Sequence, residues 1–144
     1  MFGFIRNLFS RSGTSAGRSR QILRTFEGQK QQLQEEFFRS AAGTGMPRGL
    51  RWKNCDWLST YRLVQDPESS MYTLFCGVNI SFEAIEGGDM EGVEAVSMIR
   101  DGSAVFHAQD GRWGTGGKVL FNMDPATAST CAAPGQPVLG SSPE

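Results

Sequence analysis

From Tyr72 to Phe82 every second residue is apolar or aromatic: Tyr72, Leu74, Cys76, Val78, Ile80 and Phe82 alternate with Thr73, Phe75, Gly77, Asn79 and Ser81. Successive side chains of a strand point to opposite faces, so this period of two predicts an extended segment over Met71 to Ile85 with one face on a core. A helix would scatter the same six residues around its axis. A strand buried on one face belongs in an antiparallel sheet, where the other face is free to meet water.

Neighbours for it can be read on both sides. Leu50 to Trp57 alternates weakly, with apolar residues on both faces, and Thr60 to Gln65 continues it after a bend. Asp66-Pro67-Glu68-Ser69-Ser70 is turn chemistry. Further on, Asp110-Gly111 separates two extended runs and predicts a type I′ hairpin, because both central residues of that turn need positive φ. In that register Ala108 faces Trp113 and Phe106 faces Thr115. Gly114, Gly116 and Gly117 weaken the returning strand, which recovers at Lys118 to Phe121. Val93 to Arg100 reads equally as a helical turn or a strand.

Residues 19 to 42 change period. Ile22, Leu23, Phe26, Leu33, Phe37 and Ala41 fall on one helical stripe, with Ser19 as an acceptable N-cap. Gly28 costs this helix about 1 kcal/mol relative to Ala. Glycines and Pro47 between Gly43 and Gly49 stop it. The fold class expected is therefore α+β: one long amphipathic helix packed on a four- to five-stranded antiparallel sheet. It forms a single domain over residues 19–123, between a flexible N-terminal arm (1–18) and a disordered tail (124–144) rich in Pro, Ala, Ser and Gly. A helix followed by a meander is similar in layout to cystatin-like and nuclear-transport-factor-like wrapped sheets, and such layouts host unrelated functions.

Charge is distributed unevenly. The first twenty-five residues hold Arg6, Arg11, Arg18, Arg20 and Arg24 and no acid, whereas the rest of the chain sits near −6 within a net charge of −1. Phe2, Phe4, Ile5, Leu8 and Phe9 recur around Arg6 and Arg11 on a segment too short to hold a helix in water alone. These seven residues are the candidate membrane- or partner-binding set, with an anionic membrane surface or a protein as the partner and Ser10–Ser19 as a flexible connector. The expected location is the cytoplasm, peripheral on a membrane. The alternative is an organelle matrix, with the Arg-rich head a removable transit segment. No apolar run is long enough to span a bilayer, and an acidic body argues against nucleic acid.

Little of the rest points to chemistry. Cys55, Cys76 and Cys131 form no CxxC pair, and His107 is the single histidine, so a structural zinc site is not expected and no cofactor is assigned. A Cys55–Cys76 bridge between neighbouring strands stays open. Glu83, Glu86, Asp89, Glu91 and Glu94 read as a solvated acidic loop, with a metal site or a contact to the basic head as lesser alternatives. His107 is expected to face solvent from its hairpin strand, and Trp52, Trp57 and Trp113 to anchor the helix on the sheet. These features suit a small non-catalytic binding or accessory domain. The alternative is a ligand-binding or enzymatic domain using a helix–sheet pocket near His107.

Overall fold

The structure, a computed structural model, describes residues 11–43, 50–84, 87 and 100–142. Helix α1 (Arg11–Gly43) is followed by strands β1 (Leu50–Gln65), β2 (Tyr72–Ala84), β3 (Arg100–Gln109), β4 (Arg112–Gly114) and β5 (Val119–Phe121). A short helix α2 (Pro125–Ala132) and an edge strand β6 (Val138–Ser141) complete the chain. All pairings are antiparallel, in the order β4-β3-β2-β1-β6, with β5 on β3 beyond β4. The α+β class and the helix-on-sheet arrangement are as expected, and the sheet has six strands rather than four or five.

The alternation over Tyr72–Ala84 does what its period demands. Leu74, Cys76, Val78, Ile80 and Phe82 are buried in the main core under α1, with Tyr72 partly so. From the helix side that core receives Phe26, Leu33, Phe37 and Ala41. The tryptophans pin the two layers together. Trp52 and Trp57 lie edge-on to Phe37 and Trp113 to Phe26, and Trp113 Nε1 donates to the Ile22 carbonyl at 3.3 Å. The hairpin has the register expected, Ala108 opposite Trp113, with φ of 53° at Asp110 and 78° at Gly111.

Two expectations need correction. Residues 11–18 are not a flexible connector; they are the first turns of α1, and Ser19 is buried within the helix instead of capping it. Once Phe26 and Phe37 dock the later turns, each added residue extends an existing helix, and nucleation, the costly step, has already occurred. Nor is the segment after Asp124 a disordered tail. Asp124 caps α2 by accepting from the Thr127 amide at 2.8 Å, Pro125 occupies the first turn, and β6 pairs with β1 through Arg62–Ser141 and Leu63–Gly140. Composition misleads here because the segment brings few large apolar residues of its own, Val138 and Leu139 on β6. It uses those of the sheet: Val64, Phe75 and Val105 on the face away from α1 are sealed by Ala128 and Ala133, whose small side chains let the helix approach closely. Buried Ser103 ties the arrangement down by donating to the Met123 carbonyl at 2.8 Å.

Gly117 joins β4 and β5 to the last turns of α1. Its φ is 82°, and a Cβ there would lie 2.6 Å from the Ala41 nitrogen, so the site needs glycine for both conformation and space.

A cleft between the long helix and the sheet

Two irregularities, one on α1 and one on β1, meet across the main core. The sheet-facing stripe of α1 runs Phe26, then Leu33, Phe37 and Ala41, and the position one turn after Phe26 is Lys30, with Gly28 and Gln29 beside it. The helix therefore lacks one apolar knob in its middle. Opposite that gap, β1 leaves its register with β2: Trp57 pairs with Val78 and Tyr61 with Cys76, so Leu58, Ser59 and Thr60 bulge across from the single residue Gly77. The bulge needs that glycine, because a Cβ on it would collide with the Thr60 hydroxyl. Bulges of this kind re-aim side chains at functional edges.

The result is a half-enclosed cleft of about 450 Å³, within the size range of small-ligand sites. Phe26, Trp57, Leu74 and Cys76 supply its floor and inner wall, and Leu58, 43% exposed, stands at its edge. Arg20, Arg24, Glu27 and Lys30 border it from the helix, where Lys30 approaches Glu27 at 3.9 Å. A shallower groove continues past Trp57 toward Phe38, Ala42 and Cys55.

Of the residues singled out in the sequence, Arg20, Arg24, Trp57 and Cys76 line this cleft, and Cys76 is the one potential nucleophile among them. Burial pushes its thiol up to about 12, with Lys30 pulling it down and Glu27 raising it. Burial, helped by Asp56, also pushes Cys55 up to about 12. Neither thiol is a thiolate near neutral pH, and thiolate is the nucleophilic form. The two are not bridged; Cys55 pairs across the sheet with Ile80, and Cys131 is exposed on α2. His107 lies on the opposite face of the sheet from Cys76, exposed as expected, with Nδ1 3.1 Å from the Thr73 hydroxyl. Partial desolvation, reinforced by Lys118, holds the ring below its ordinary range and so neutral at neutral pH. Ser81, eight residues along β2 from Thr73, lies about 26 Å from it by strand rise. No nucleophile–base pair forms between these groups.

Of the acidic set, Glu83 is engaged by Arg51 at 3.2 Å across the β1–β2 pair, while Glu86, Asp89, Glu91 and Glu94 lie outside the described residues. No three of His, Cys, Asp or Glu come together among the described residues. Phe2, Phe4, Ile5, Arg6, Leu8 and Phe9 also lie outside them, and of Arg11 only the helical backbone is described. No described helix is long and apolar enough to cross a membrane.

A helix–sheet pocket was expected only near His107, whereas this cleft lies elsewhere between α1 and β1; both of its causes leave marks in the sequence. The apolar stripe skips Lys30, and the alternation of β1 breaks over Leu58-Ser59-Thr60. Each reads alone as ordinary irregularity; only their meeting across the core makes a cavity. No protein-family model, no curated protein and no solved structure matches the chain.

Proposed function

We propose that the chain is a small non-catalytic binding domain whose recognition element is the cleft between α1 and β1. The observation that carries this reading is an apolar-floored cavity built from a missing helix knob and a strand bulge, whose lining includes no histidine. An enzyme working through His107 would need that ring and a carboxylate in one concavity, whereas His107 faces solvent on the other side of the sheet. NMR titration of the intact chain with a neutral apolar probe such as indole tests it. Amide shifts are expected around Leu23–Lys30, Trp57–Tyr61 and Leu74–Cys76. Shifts confined to other surfaces, or none at millimolar probe, would refute the reading.

A second proposal concerns attachment. The Phe-rich, acid-free head precedes α1 in the chain, and Arg18, Arg20 and Arg24 of α1 are exposed, so apolar and basic residues follow one another in sequence. Such a segment suits an anionic membrane surface, or a protein partner with an acidic apolar groove. Vesicles containing anionic lipid are expected to co-sediment the intact chain and not one lacking residues 1–12. Equal pelleting of both forms would reject the tether.

A further inference from the structure

The mouth of the cleft carries more positive charge than its architecture requires. Arg20 and Arg24 stand one turn apart on the same exposed side of α1, and like charges at this spacing disfavour a helix slightly. Among the described residues neither has an acidic ion-pair partner, and the one acid at the rim, Glu27, is engaged by Lys30. A buried hydrocarbon floor with two guanidinium groups at its entrance is complementary to one kind of molecule. Resting on the binding-domain reading above, we propose that the cleft takes a single-chain amphipathic anion of the fatty-acid type. Its hydrocarbon tail lies among Phe26, Trp57 and Leu74, and its carboxylate meets Arg20 and Arg24.

The chemistry is selective in four ways. A guanidinium presents a planar fork of donors that matches a carboxylate, so an anion is held in orientation as well as attracted. The lining is apolar at Phe26, Trp57, Leu58, Leu74 and Cys76, with Gln34, Ser59, Thr60 and Tyr61 as its uncharged polar members, too few to satisfy a phosphate-rich ligand. A cationic amphiphile would fit the floor and be repelled at the mouth. Tail length matters because each buried methylene strengthens binding by up to about fourfold.

The test is an NMR titration of the full chain with octanoate, decanoate, decanol and decyltrimethylammonium, each below its micelle concentration. Decanoate is expected to shift cleft amides and to bind more tightly than octanoate, and at least about tenfold more tightly than decanol or the cation. The double variant Arg20→Glu, Arg24→Glu should lose that tenfold and leave decanol binding unchanged. Lys30→Leu restores the missing knob; it should abolish decanoate binding while raising the melting temperature, which keeps the result distinct from unfolding. If decanoate, decanol and the cation bind the cleft equally, the anion assignment is overturned while the binding-domain reading survives. If none of them shifts cleft amides and indole does not either, both fall.

Discussion

Removing residues 124–144 is expected to abolish cooperative folding of the domain. The loss is not of a tail but of a lid. Val64, Phe75 and Val105 are buried only because α2 and its flanks lie over them, and β6 completes the hydrogen-bonded edge of β1. Each of those three side chains contributes about 1.5–3 kcal/mol on burial. Together they amount to a large part of the 5–15 kcal/mol that separates a typical domain from its unfolded chain. Thermal melting of the intact chain against one ending at Met123 measures this. Ala128→Asp provides the same test at constant length: Ala128 has no exposure, and a carboxylate there would be buried unpaired against Phe75 and Val105. Unchanged melting of both variants would show that the second core does not form.

Phe37→Ala carries the other large expected effect, a loss of about 3–5 kcal/mol. Phe37 has 0% exposure and sits where helix and sheet lock, with ring centroids 5.4 Å from Trp57, 5.9 Å from Phe106 and 6.2 Å from Trp52. Truncation leaves a cavity whose walls are other rings, which have little freedom to collapse into it. For a domain of this size that loss corresponds to a fall in melting temperature of roughly 10–20 °C. Val138→Ala, at a residue 50% exposed on the edge strand, serves as the control and should move it by no more than a degree or two. Equal shifts at the two positions would contradict the packing described here.

Much of this architecture is legible residue by residue. The β2 alternation, the Asp110-Gly111 turn and the stripe of Ile22, Leu23, Phe26, Leu33, Phe37 and Ala41 each follow from a local period or a backbone preference. The structure places all three as that chemistry requires. Helix extent was less legible, because Gly and Ser between Arg11 and Ser19 argue against helix locally while docking further along favours it. The C-terminal segment was illegible from its own composition, since its partners are Val64, Phe75 and Val105, far away in the chain. Phe75 did offer a signal. It is a large apolar residue on the face of β2 otherwise read as wet, and such a residue needs a cover.

By itself, then, the amino-acid order determines the local periods: which residues extend, which coil, where the tight turn falls, and that one helix covers one face of an antiparallel sheet. Tertiary structure alone decided that small residues at the end of the chain seal the other face. It also decided that a skipped knob at Lys30 meets a bulge at Leu58–Thr60 to leave a cleft. The reason is range. A period or a turn is written in neighbouring residues, whereas a lid and a cavity depend on which surfaces remain uncovered once distant segments have packed.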